Sequence, residues 1–168
     1  RELATALIKA EVENVAGDAV EGFNPVHDVC RFVIDGAVAL VQRETGRVLR
    51  NYDFVLDSDP NACPEPWRST PTWLDLSGDE LDRKLDAALG YRELREELQA
   101  KLTHYGKAAF GRECLRPVTT RAMIDKFEQE LPAYERYGEQ RVREGRYHHV
   151  LRYRSHVWPV LAALEEAS

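Results

Sequence analysis

Apolar residues recur at helical spacing in several parts of the chain and alternate with polar ones in a few short others, so helix outweighs strand. Leu3, Ala6, Leu7 and Ala10 predict a helix over residues 1–12. Val15 to Val20 reads as a short strand running into a turn. Val29, Phe32, Val33, Ala37, Leu40 and Val41 form the stripe of a longer helix, with Gly46 as its C-terminal cap. Asn51–Leu56 and Thr72–Leu76 suggest short strands on either side of a loop at 57–71 that holds Pro60, Pro64, Pro66 and Pro71. Ser77 and Glu80 have capping-box spacing ahead of a helix bearing Leu81, Leu85, Ala88 and Leu89. Gly90 interrupts, and Tyr91, Leu94, Leu98 and Leu102 mark a second helix. Phe110–Val118 predicts a strand ended by Pro117, residues 121–131 a helix, and His149–Ala167 a helical tail kinked at Pro159.

The expected fold class is therefore α/β and helix-rich. One strand–turn–helix unit is followed by irregular material, whereas a freestanding parallel sheet alternates strand and helix regularly. The 168 residues suit a single domain, or the C-terminal portion of a larger α/β domain.

Composition narrows the function classes. The chain is 43% hydrophobic and 31% charged, with no apolar run near the ~20 residues of a membrane span, so no membrane partner is expected. A net charge of −6 without a long basic run argues against nucleic acid as the main partner. The three cysteines, Cys30, Cys63 and Cys114, are far apart and form no CxxC pair, which disfavours a zinc knuckle or a disulfide framework and suits a reducing cytoplasm. No signal peptide is evident, and Arg1 is not a natural initiator, so the native N-terminus is expected to be missing or processed.

The candidate chemistry lies in Glu21-Gly22-Phe23-Asn24-Pro25-Val26-His27-Asp28. This polar turn follows a strand and delivers His27 to the start of the long helix. Ligands of open α/β folds bind at the carboxyl ends of strands. A neutral imidazole there is a good zinc ligand, and Glu21 and Asp28 are placed to orient it or accept hydrogen bonds around it. The plainer alternative is a capping turn in which Asp28 complements the helix dipole and His27 has no special role.

This segment resembles the second metal-binding motif of the PIG-L / LmbE-like zinc-dependent deacetylases. In that family a strand ends in a polar turn, often containing Glu-Gly, followed by His-Pro-Asp-His and a helix. His27 falls on the last histidine of the motif, a zinc ligand. Asn24 stands where the family usually has the histidine that stabilises the oxyanion, and Val26 replaces the usual aspartate. The likeness covers roughly residues 1–45. It implies a partial Rossmann-like fold and an amide hydrolase that removes acetyl groups from an N-acyl sugar or related small molecule. It further implies a zinc cofactor held by His27, with Asn24 at the oxyanion or substrate and Glu21 and Asp28 near it.

The family's other motif, His-Pro-Asp-Asp, supplies two zinc ligands and the general base, and it is absent from these residues. The resemblance thus implies an N-terminal companion segment or chain preceding Arg1. The alternative is a degenerate relative that binds a ligand or partner without catalysis, which the replacement of histidine by Asn24 favours. An amide can donate to an oxyanion but cannot deliver a proton.

Several other residues suggest chemistry on weaker grounds. Arg143 and His148 share the R-x4-H spacing of HEPN-type ribonucleases, although Gly145 breaks the helix between them; a solvated basic face is the simpler reading. His27-Asp28 alone also matches the core of HD-type phosphohydrolases, which need a histidine upstream that this chain lacks. An aromatic–polar cluster at Tyr134, Arg136, Tyr137, Tyr147, His148, His149, Tyr153 and His156 either lines a pocket for a sugar-like ligand or packs the C-terminal helix. Trp67 and Trp73 flank the proline loop as lid or packing residues. Cys30, in the first turns of a helix, is expected to be buried packing.

Overall fold

The computed structural model describes residues 1–56, 59, 63 and 72–167. The proline-rich stretch and Trp67 lie outside them, apart from Asp59 and Cys63. Among the described residues the protein is mixed α/β and 61% helical. Two compact units divide it: Arg1–Asp53 with Val118–Ser168, and Phe54–Pro117 between them.

The first unit begins with α1 (Glu2–Lys9), β1 (Asn14–Asp18), α2 (Pro25–Thr45) and β2 (Arg50–Phe54), and β1 lies beside β2. In α1 the buried residue is Ala4, with Leu7 and Ile8 half-buried, whereas Leu3, Ala6 and Ala10 face solvent. The helix is thus rotated from the expected stripe, because Ala4 lets it approach Ala37, Leu40 and Val41 of α2 closely. α2 begins where Asn24 accepts the Val26 N–H (3.0 Å) and Pro25 occupies the first turn, where no intrahelical N–H bond is required. It ends at Gly46, whose φ of 72° is left-handed.

The unit is completed by α5 (Thr120–Gln129), α6 (Ala133–Arg143), a π-helical turn at Tyr153–Val157 and α7 (Trp158–Ala167). The expected tail helix from His149 starts nine residues later, at Trp158. Pro159 is the second residue of α7 and directly follows the π-helical turn, where its missing N–H removes one helical bond. Phe32, Phe127, Tyr134, Tyr153 and Leu161 form the main apolar core of this unit.

The second unit contains β3 (Thr72–Asp75), α3 (Gly78–Gly90), α4 (Arg95–Tyr105), a 3-10 turn (Lys107–Gly111) and β4 (Arg112–Pro117). β3 and β4 pair antiparallel, with Trp73 opposite Cys114 and Asp75 opposite Arg112. The capping box forms: Ser77 N–H donates to Glu80 (2.8 Å), and the Glu80 N–H donates weakly to Ser77 Oγ (3.4 Å). The Ser77 N–H bond, with a second from the Ser77 hydroxyl (2.8 Å), holds the Glu80 carboxyl below its usual range. Leu81, Leu85 and Phe110 make the core, with Leu98 and Leu102 of α4 packed against it. Trp73 lies under the Arg112 guanidinium, 4.4 Å from its ring centre.

Candidate functional site

The polar turn between β1 and α2 is held from several directions. Asp28 is 1% exposed, and its Oδ1 accepts the backbone N–H groups of Glu21 (3.0 Å) and Gly22 (3.3 Å). Gly22 O accepts the Tyr134 N–H at 3.1 Å. Gly22 has a φ of +69°, and a Cβ there would lie 2.7 Å from the Phe127 ring, so only glycine fits. Burial pushes the Asp28 carboxyl up to about 6, against the lowering effect of its two backbone bonds; nearby Glu21 raises it further and His27 lowers it.

His27 faces a different carboxylate from those adjacent in sequence. Its Nδ1 lies 2.5 Å from Oδ2 of Asp18, the last residue of β1, with side-chain exposures of 44% and 25%. A carboxylate at this distance favours the proton on Nδ1, which leaves the Nε2 lone pair available. The pair stands at the carboxyl end of β1 and in the first turn of α2, where the helix N-terminus favours negative charge.

The other expected residues are placed individually. Asn24 is half-buried, and its oxygen serves the helix cap, which leaves the amide NH₂ as its donor. Glu21 is half-buried, and its N–H is held by Asp28. Cys30, expected to be buried, is exposed, because it lies on the side of α2 opposite Asp28, Arg31 and Phe32, which are the residues the first turns bury. Arg143 and His148 are both exposed, as are Tyr137 and Tyr147, which meet edge to face at 6.5 Å. Tyr134 and Tyr153, by contrast, are buried in the core.

One turn beyond His27 lies a polar network that the sequence did not announce. Arg31 is fully buried; it donates to Tyr52 O (2.9 Å) and Asn51 Oδ1 (2.7 Å) and pairs with Asp35 (2.8 Å). Asp35 also accepts from Asn51 (2.9 Å) and from Thr120 Oγ1 (2.6 Å). Buried Asp53 accepts from the N–H (2.9 Å) and hydroxyl (2.8 Å) of Thr119. These bonds fix α2 against β2 and the start of α5, and so hold the turn above them steady.

Among the described residues, no group of three or more His, Cys, Asp or Glu side chains is placed to hold a metal ion. A catalytic zinc takes about three protein ligands, so these residues do not complete such a site. His27, with Nδ1 on a carboxylate, has the form of a single ligand position. No described helix is long and apolar enough to cross a membrane. Comparisons with protein-family models, with curated proteins and with solved structures returned no match.

Proposed function

We propose that this chain is part of a zinc-dependent amide hydrolase of the PIG-L / LmbE-like kind, acting on an N-acyl sugar or related small molecule. Its C-terminal portion would be represented here, and the Rossmann-like arrangement would be completed by an N-terminal segment or chain. The observation that carries the reading is the Asp18–His27 contact at the carboxyl end of β1. Metal-ligating histidines donate their second ring N–H to a carboxylate or carbonyl, which fixes the tautomer and aims the lone pair.

Within this reading Asp18 positions His27, and His27 Nε2 is the coordinating atom. The Asn24 amide NH₂ donates to the oxygen that gains charge as the amide carbonyl is attacked. Glu21 borders the substrate, and Asp28 acts indirectly by holding the Glu21 and Gly22 amides. Zinc, when bound, polarises that carbonyl and acidifies a water; the general base and the other ligands belong to residues outside this chain. Cys30, Cys63 and Cys114 are not joined in disulfides, in keeping with a reducing cytoplasm.

A second reading rests on Asn24. Its oxygen is committed to the cap of α2, a structural duty that any helix N-terminus can require. A relative that kept the turn for packing and uses the corner to bind a ligand or partner, without turnover, would look the same there.

The test is deacetylation of N-acetylglucosaminyl substrates by the complete native protein. Loss of turnover in His27→Ala, with a partial loss in Asn24→Ala, is expected. Turnover unchanged by His27→Ala would remove the hydrolase reading, and no turnover in the native protein with retained ligand binding would favour the second.

A further inference from the structure

Beneath the polar turn, the interior of the first unit holds three oxygen atoms withdrawn from solvent and without a hydrogen-bond partner among the described residues: Asp28 Oδ2, Tyr134 Oη and Tyr153 Oη. Their residues are 1%, 6% and 4% exposed. A fourth such atom, Arg31 Nε, belongs to a guanidinium already engaged through both of its other nitrogens. Gly22 and Phe127 join their residues: Asp28 Oδ1 accepts the Gly22 N–H, Gly22 O accepts the Tyr134 N–H, and the Phe127 ring that packs on Gly22 meets the Tyr153 ring edge to face at 5.2 Å. Tyr134 and Tyr153 belong to the same apolar cluster. Burial pushes both hydroxyls up, and the charge of Asp28 adds to the rise at each.

Folded proteins rarely leave buried polar atoms unmade. A carboxylate oxygen can only accept, whereas two phenol hydroxyls can donate or accept. An ordered internal water typically uses such a set, making about two to four hydrogen bonds. The groups facing this spot are otherwise committed: Asp28 Oδ1 to the Glu21 and Gly22 amides, and Glu135 to Tyr153 N–H (2.8 Å) and Arg152 (3.0 Å).

We propose that Asp28, Tyr134 and Tyr153 enclose a binding site for one ordered water molecule. That water links the Tyr153–Val157 turn to the segment that presents Glu21, Asn24 and His27. The site is independent of the hydrolase reading, since it requires no metal and no substrate.

Oxygen-17 magnetic relaxation dispersion, which detects long-lived internal waters, tests this on the full chain. The Tyr134→Phe/Tyr153→Phe double variant should lack one long-lived water that the unaltered protein holds. Its melting temperature should fall by roughly 2–4 °C or more, and amide exchange at Glu21 and Gly22 should quicken. An equal number of long-lived waters in both proteins would overturn the proposal. So would an unchanged or raised melting temperature, since removing a truly partnerless hydroxyl from an apolar core relieves the fold. Should the double variant fail to fold, Tyr153→Phe alone should shorten the residence time of that water, and an unchanged residence time would overturn the proposal equally.

Discussion

From Ala37 onward, α2 faces the protein interior with Ala37, Leu40 and Val41, which pack on Ala4 and Leu49. Over its first two turns the same helix buries Asp28 and Arg31 and points His27 at Asp18. The later turns are held by apolar contact, which is non-directional and tolerates small shifts. The earlier turns add, to the apolar packing of Phe32, hydrogen bonds whose partners must sit within a few tenths of an ångström. A structural helix needs only the first kind of packing. Building the second kind around a half-exposed imidazole at a strand end fixes the position of that ring, as a ligand or substrate contact requires.

That contrast can be broken from either side. The largest effect is expected from Arg31→Ala, which leaves Asp35 and Asn51 without their buried partner; chemical denaturation should show a loss of ~3–5 kcal/mol. Leu40→Ala, at the apolar end, should cost ~2–5 kcal/mol through lost burial and a cavity, with little effect on ligand binding at His27. If Leu40→Ala disturbed the His27 corner as much as Arg31→Ala did, the two ends would not be distinct.

Asp28 gives a pH signature. Burial raises its pKa from 3.8 to about 6 in the folded protein, so folding favours its protonated form. Its contribution to stability is complete below about pH 4 and is lost as pH rises through about 6, on the order of 2–3 kcal/mol over that window. Asp28→Asn should abolish this slope, leaving the variant no less stable than the native protein at pH 7; thermal melts from pH 3.5 to 7 would show a persistent slope if the assignment were wrong. Asn24→Ala should cost ~1 kcal/mol from the lost cap. Asp18→Asn should change stability least, because the pair is partly exposed, yet weaken metal binding ~10–100-fold.

The sequence made α2 legible over most of its length, since Val29, Val33, Ala37 and Leu40 repeat with the helical period and Gly46 marks the stop. It identified the strand–turn–helix setting in which His27 lies as well. It did not reveal Asp18 as the partner of His27, because nine residues and a turn separate them and periodicity carries no information about such contacts; a carboxylate at a strand end was the available signal. Arg31 was hidden for a related reason. A charged residue within an apolar stripe reads as a solvent-facing break until β2 supplies Asn51 and the Tyr52 carbonyl. α6 escaped notice because its few apolar residues, Tyr134, Tyr137 and Val142, are set among Arg and Glu. The tail was misjudged because the pattern from His149 cannot distinguish a helix from the extended lead-in and π-helical turn that bring Tyr153 into the core.

The central claim is that His27, steadied by Asp18, is one ligand of a metal site. Zinc content of the complete native protein, measured by elemental mass spectrometry beside His27→Ala and Asp18→Asn, tests it most directly. The account predicts bound zinc in the native protein, little in His27→Ala, and zinc in Asp18→Asn that a mild chelator removes far more readily. Equal zinc in the native protein and His27→Ala would contradict it.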